Sequence, residues 1–553
     1  MTIAPDWRSI AKATQESILK KIPKEWCLVE GNAAPEKQDV SKIPESCDIL
    51  SLKERDITGS VDATFILKKI HSRQWTAEEV MVAFCKRAAI AHQLTNCLTE
   101  ICFEEAITQA KVLDAELQRT GKLAGPLHGL PISLKDHINV AGLRSTMGYC
   151  CLAENRPEED AVITKVLKAA GGIIFVKTTM PVTGMVTETT SNLFGRTTLG
   201  HNRLLTPGGS SGGEGALIGL RGSPMGWGTD VGGSIRVPAA FSGIYGFKPS
   251  SRRLSVDGLS ANVRGAISIP GVIGPMSLSI RDLELVCKVL TDAEPWLEDP
   301  NVSMKEWKPR PKIERSLRIG VMAFDGVVMP HPPILRAIKT AANQLHLAGH
   351  DVIDFEPFES LKAWEIAFPI YYATGGKEMR DLIEASGEPW PPAAGKISNS
   401  PAVRDRKLTV KELYELNAAR DQYKKGYLQH WKKTATQTKT GKPIDVLLCP
   451  TAASASFPHD FVPWWGYSSQ YNMLDMPGVV IPVGKVDKTV DVEDKKYSPI
   501  NERDQENYDM YDPELWDGAP LGVQIVGRNF DDEFVLACAS IIDEVLNGRD
   551  HSS

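Results

Sequence analysis

None of the ten cysteines, at positions 27, 47, 85, 97, 102, 150, 151, 287, 449 and 538, stands in a C-x-x-C pair. Neither a zinc ribbon nor a thioredoxin-like redox motif is therefore encoded. Their scatter along the chain suits buried thiols in a reducing compartment and not a disulfide framework. No apolar run approaches the roughly 18 residues a spanning helix needs. The first 21 residues carry both charge signs and lack the apolar core of a secretory signal. The final Asp550-His551-Ser552-Ser553 matches neither an ER-retention nor a peroxisomal address. Positive charge is not in excess: 63 Lys and Arg stand against 69 Asp and Glu, for a net charge of −6. Proteins that coat nucleic acid or an anionic membrane are usually basic, so neither partner is favoured. No internal repeat is visible. With 42% hydrophobic and 24% charged residues, a largely disordered chain is excluded. These absences leave a cytoplasmic globular protein as the expectation.

What is present is an alternation of helix and strand over 553 residues. Residues 1–75 read as an N-terminal helical segment packing on the core formed by the rest of the chain. Thr76-Ala77-Glu78-Glu79 is a capping box, and Val80, Phe84, Ala88 and Ile90 continue it at broadly helical spacing. A second helix is expected over 104–118, ended by Gly121. Leu130-Pro131-Ile132-Ser133-Leu134 reads as a short strand. Residues 160–170 read as a helix, then Gly171-Gly172 turns into the strand Ile173-Ile174-Phe175-Val176. Further on, helices are expected over 280–291, 333–348 and 409–433, with strands at 317–321, 352–353 and 446–448. Residues 485–516, charged and poor in apolar side chains, read as a surface insertion. The rhythm indicates an α/β layered core. It leaves open whether the two halves share one core or form two lobes.

Glycine breaks this rhythm between 195 and 250. Pro207-Gly208-Gly209-Ser210-Ser211-Gly212-Gly213-Glu214-Gly215-Ala216 is followed by Gly228-Thr229-Asp230-Val231-Gly232-Gly233-Ser234-Ile235-Arg236-Val237-Pro238. A plain glycine-rich turn is the simplest reading. A phosphate loop would end in G-K-[ST], which is missing. Gly208-x-Ser210-x-Gly212 and Gly209-x-Ser211-x-Gly213 fit a nucleophile elbow, but Asn202-Arg203-Leu204-Leu205-Thr206-Pro207 is a poor preceding strand. Successive backbone N–H groups ending at Ser234 suit an oxyanion hole. Upstream, Lys135 closes an apolar strand. Partial desolvation there favours the neutral amine, a candidate base for a serine that cannot attack unaided.

Together the lysine segment, GGSSGGEGA and GTDVGGSIRVPAAF resemble the amidase signature family. The spacing agrees too, with Ser210 75 residues after Lys135 and Ser234 24 residues after Ser210. Resemblance to the fungal acetamidases, which are general amidases, extends over most of the chain. It includes Phe84-Cys85-Lys86-Arg87-Ala88-Ala89-Ile90-Ala91, Pro330-His331-Pro332-Pro333 and Val523-Gln524-Ile525-Val526-Gly527-Arg528. The resemblance implies one catalytic domain over 76–553, an α/β/α layered fold around a central mixed, twisted sheet flanked by helices, with the signature region at about 125–250.

It also implies roles. Ser234 is the nucleophile, Ser210 the bridging serine after a cis peptide, and Lys135 the base. The N–H groups of Val231, Gly232, Gly233 and Ser234 hold the oxyanion. Asp230, Arg236 and Ser211 support them, with Ser211 bonded to Lys135 or to the backbone. Glu214 is expected in a first helical turn, suited to the dipole. His128 and His137 read as structural, and Cys150-Cys151 as packing. No His/Cys/Asp cluster has metal-ligand spacing, and no metal or cofactor is expected.

The acyl pocket is expected along Pro181-Val182-Thr183-Gly184-Met185-Val186 and at Thr229. Gly184 stands where relatives often carry a larger side chain, implying extra room. Tyr371, Tyr372, Trp464 and Trp465 read equally as entrance or as packing. The expected activity is hydrolysis of small aliphatic or aryl carboxylic amides to the acid and ammonia through an acyl-enzyme. The partners are the amide and water, and by analogy a second copy in a homodimer. The alternatives are a glutaminase-type subunit of an amidotransferase and a soluble fatty-acid-amide-hydrolase-like enzyme. The N-terminal membrane helix of fatty-amide hydrolases is not found, which argues against a lipid-embedded substrate.

Overall fold

Strand formation follows from burial on both faces. In the computed structural model, which describes residues 6–29, 31 and 38–549, every residue of β2 (Pro131–Lys135) and β3 (Ile173–Thr178) is buried. Such strands need helices on each side, so they read as continuous apolar runs without alternation. They join β1 (Leu98–Ile101), β6 (Met225–Asp230), β7 (Tyr245–Lys248), β8 (Val272–Ser277), β9 (Arg318–Val321), β10 (Asp351–Asp354), β11 (Val446–Pro450), β12 (Gly478–Lys485) and β13 (Pro520–Val526). The eleven strands form one sheet in the order β1-β3-β2-β6-β8-β7-β12-β13-β11-β9-β10. A separate hairpin pairs β4 (Thr190–Ser191) with β5 (Gly195–Arg196). The sheet is mixed. β2 runs parallel to β3 and β6, and β9 runs parallel to β10 and β11, while the middle of the sheet is antiparallel. Sequence rhythm left two lobes possible; the pairing of β7 with β12 joins the halves in one sheet.

The helices flank it much as their end signals indicate. Thr76 Oγ1 accepts from the N–H of Glu79, and the Glu79 carboxylate takes the N–H of Thr76. The helix they start runs over Ala77–Thr95. The next helix, Phe103–Thr120, stops at Gly121, whose φ is +70°. N-terminal residues enter the same core: Val40, Ile43, Leu50, Ile57, Ile66 and Ile70 are all buried there. No helix among the described residues is long and apolar enough to cross a membrane. Residues 1–5 and the C-terminal tetrapeptide, read above for targeting, lie outside the described residues.

Residues 485–516 are less superficial than their composition suggests. They hold the helices Glu502–Met510 and Pro513–Trp516. Trp516 is fully buried, its indole N–H donating to the carbonyl of Ser456 at 3.1 Å. Asp491 is buried against the Arg336 guanidinium, with N···O distances of 2.6 and 2.7 Å. Asp504 accepts the N–H groups of Met329 and Ile500. The charges that signalled solvent are in part internal hydrogen-bond acceptors.

The register of β2 and β6 places the chemistry. Leu134 faces Trp227, so Lys135 at the end of β2 lies beside Gly228 and Thr229. Two parallel strands thus deliver their C-terminal ends to one edge, where open α/β sheets bind ligands.

Candidate active site

Lys135 is fully buried. Its Nζ lies 2.8 Å from Ser210 Oγ and 2.9 Å from Thr229 Oγ1. Burial disfavours the ammonium and lowers its pKa to about 7, against the opposing pull of Asp230, Glu214 and Asp136. Glu214 does sit in the first turn of the helix Gly212–Gly219, but it points into the core. Ser133 and Thr178 hydroxyls donate to its two oxygens at 2.6 and 2.8 Å, and burial raises its pKa to about 8. Glycine at 226 makes this approach possible, since a Cβ there would stand 2.0 Å from Glu214 Oε2.

The two serine segments are tied together. The peptide between Gly209 and Ser210 is cis. The N–H of Ser211 donates to the carbonyl of Ser234 at 3.1 Å. Ser211 Oγ accepts the N–H of Thr229 at 3.3 Å and lies 3.4 Å from its carbonyl. Of its two expected partners, Ser211 therefore takes the backbone, and Lys135 is left to Ser210 and Thr229.

The loop from Val231 to Ser234 is held plane by plane. Asp230 and Arg236 form an ion pair with both side chains fully buried. Burial alone would raise the Asp230 carboxyl, but Arg236 and Asn472 hold it well below the usual carboxylate range. Arg236 also donates to Gln524, Asn472 and the carbonyl of Ser468. The loop carbonyls are taken in turn: Val231 by the Tyr371 hydroxyl at 2.8 Å, Gly232 by Ser468 Oγ at 2.7 Å, and Gly233 by the N–H of Val237 at 2.8 Å. A trans peptide is planar, so fixing a carbonyl aims the following N–H the opposite way. The N–H of Gly233 goes to Asp230 Oδ1 at 2.8 Å, which withdraws it from the expected oxyanion donors. Those of Val231, Gly232 and Ser234 meet no protein acceptor among the described residues. Gly233 has φ +125°, and a Cβ on it would lie 2.3 Å from Ser468 Oγ, so no other residue fits.

Beside Ser234 lies a narrow, half-open pocket lined by Gly184, Met185, Val186, Thr187, Val231, Gly232, Tyr371 and Trp465. Thr229 is not among these residues; its hydroxyl is engaged with Lys135 and His137 behind the pocket. Gly184 does line it, but its φ is +70° and a Cβ there would stand 3.0 Å from Met180 Cε. Backbone conformation thus accounts for the glycine as much as any gain in room. Of the four aromatics, Tyr371 and Trp465 form wall, whereas Tyr372 and Trp464 belong to the flanking apolar clusters. His128 bonds the backbone N–H of Ala124, and Cys150 is buried, as structural residues would be. Sequence reasoning missed Ser468, Asn472 and Gln524 as supports of the loop, since no local motif marks residues more than 230 positions away.

The Amidase family profile matches residues 79–536. An amidase of Gibberella zeae is 40% identical over 545 residues, spanning 98% of this chain and 99% of the relative. An acetamidase of Aspergillus oryzae is 38% identical over 547 residues, at 98% and 99% coverage. Among solved structures, a fatty acid amide hydrolase superposes with a TM-score of 0.92 at 33% identity, covering 98% of this chain and 95% of that one. The family profile and these relatives make the chain an amide-hydrolysing enzyme. The chain belongs to the amidase family.

Proposed function

We propose that this amide hydrolase acts on small aliphatic or aryl carboxylic amides with Ser234 as nucleophile, Ser210 as bridge and Lys135 as base. The observation that carries the reading is the 2.8 Å contact between Ser210 Oγ and a fully buried lysine amine whose pKa is lowered to about 7. Ser234 Oγ bonds to the carbonyl carbon as its proton passes to Ser210 and that of Ser210 to the neutral amine. The carbonyl electron pair moves onto oxygen, facing the N–H groups of Gly232 and Ser234. Collapse of this adduct breaks the C–N bond, and the proton returns through Ser210 to the departing nitrogen. Water then cleaves the acyl-enzyme by the same relay, giving the acid and regenerating Ser234. Loss of one oxyanion donor typically costs about 3–4 kcal/mol of barrier.

Ser234→Ala abolishes ammonia release from acetamide, benzamide and hexanamide, and a fluorophosphonate probe labels Ser234 in the native protein but not in this variant. Full turnover by Ser234→Ala would overturn the assignment. A second reading, longer acyl chains, draws on the likeness to the fatty acid amide hydrolase. The same ammonia assay, extended from formamide to long-chain amides, decides between them. All ten cysteines are free thiols, which supports a reducing, cytoplasmic setting.

A further inference from the structure

His137 lies directly after the lysine strand, and its ring spans two partners. Nδ1 is 2.9 Å from the carbonyl oxygen of Ser260, and Nε2 is 2.9 Å from Thr229 Oγ1. A carbonyl oxygen only accepts, so Nδ1 carries a hydrogen. Burial and the neighbouring Lys135 keep the ring neutral, with a pKa lowered to about 3. A neutral imidazole protonated on Nδ1 leaves Nε2 as an acceptor. The single hydroxyl proton of Thr229 is therefore committed to Nε2. Thr229 Oγ1 can meet Lys135 Nζ, 2.9 Å away, only as an acceptor.

A neutral lysine amine has two N–H bonds and one lone pair. With one N–H directed to Thr229, the lone pair is available to Ser210 Oγ, 2.8 Å away. The competing arrangement, in which Thr229 donates its own proton into that lone pair, is excluded by the bond to His137. We propose that His137 is a positioning residue: acting through Thr229, it keeps the lone pair of Lys135 open toward Ser210. No proton travels along this branch. When Lys135 accepts the proton of Ser210, the new N–H faces Ser210, and the bonds to Thr229 and His137 are unchanged. The inference rests on Lys135 being the base.

The test compares two replacements in the full-length enzyme, read as kcat and KM for ammonia release and as the rate of fluorophosphonate labelling. His137→Phe keeps a ring but offers no acceptor, which frees the Thr229 proton to occupy the lone pair. His137→Gln restores an acceptor near the position of Nε2. The Phe variant loses about tenfold or more in kcat with KM nearly unchanged, and labels Ser234 correspondingly slowly. The Gln variant recovers most of that loss. In a Thr229→Val background, which has no hydroxyl to misdirect, His137→Phe adds little further. Should His137→Phe not fold, His137→Leu, which likewise offers no acceptor, is compared with His137→Gln in its place. Native kcat in His137→Phe, or equal loss in the Phe and Gln variants, overturns the role of His137. Absence of labelling at Ser234 in the native protein overturns the catalytic reading instead, so the two failures are distinguishable.

Discussion

The hydroxyl of Tyr371 bonds the carbonyl of Val231, while its ring faces the pocket. One side chain thus aims the Gly232 N–H and shapes the wall against which an acyl group rests. Burial raises the phenol far above its ordinary pKa, so it donates throughout the working pH range. Tyr371→Phe keeps the wall and drops the bond; it lowers kcat by about tenfold or more and leaves KM within a small factor, measured on a short amide. In the proposed relay the pH profile is set by Lys135, which must be neutral to accept a proton. Asp136, Glu214 and Asp230 face it, and burial outweighs them. Since the base is inactive below its pKa, kcat/KM climbs as pH rises through about 7 and then levels off. A profile flat from pH 5 to 9 would remove Lys135 from the role of base. At this scale the segments that bring Lys135 beside Ser210, and Ser211 beside Ser234, were legible, because each is short and glycine- or strand-defined. Tyr371 was left undecided, because its contact spans 140 residues and no local pattern encodes it.

Among the elements, the turn after β6 depends most on distant partners. Asp230 ends that strand, and its carboxylate receives the N–H groups of Gly233 and Ile235 together with the Arg236 guanidinium. Removing one partner of a buried pair strands the other charge, at a cost of about 3–5 kcal/mol. Arg236→Met therefore lowers the midpoint of urea unfolding markedly, and it loses activity even at temperatures where it remains folded. Arg236→Lys retains charge but cannot reach Asp230, Gln524 and Asn472 together, and it falls between. An unfolding midpoint equal to native would show the pair to be dispensable. The sequence made Asp230 and Arg236 recognisable as a supporting pair from their opposite charge across the turn. It did not reveal that Gly233 gives its N–H to Asp230, because that depends on dihedral angles which glycine leaves open.

For the molecule as a whole, the alternation of helix and strand was readable, and so was the layered class. The joining of the halves was not, since β7 and β12 are separated by more than 200 residues and either could have formed a sheet edge. Most of residues 485–516 are exposed, as their composition indicates, but the few buried ones were not readable. Charged side chains are usually solvated, and nothing local distinguishes an exposed aspartate from Asp491 or Asp504 facing internal donors. Trp516→Ala removes a fully buried aromatic from the core and destabilises by about 3–5 kcal/mol, read by chemical denaturation. A loss below 1 kcal/mol would return that stretch to the status of a loose appendage.

The peptide planes beside Ser234 are clamped by Tyr371 and Ser468, both far downstream. A truncated chain ending before residue 360 would keep Lys135, Ser210 and Ser234, the proposed relay, yet lose the clamps on the carbonyls of Val231 and Gly232. The glycine-serine cassette is therefore no portable module. Grafted onto another scaffold, or released by a protease nick followed by separation of the pieces, it would carry the proposed nucleophile without the contacts that hold the neighbouring peptide planes.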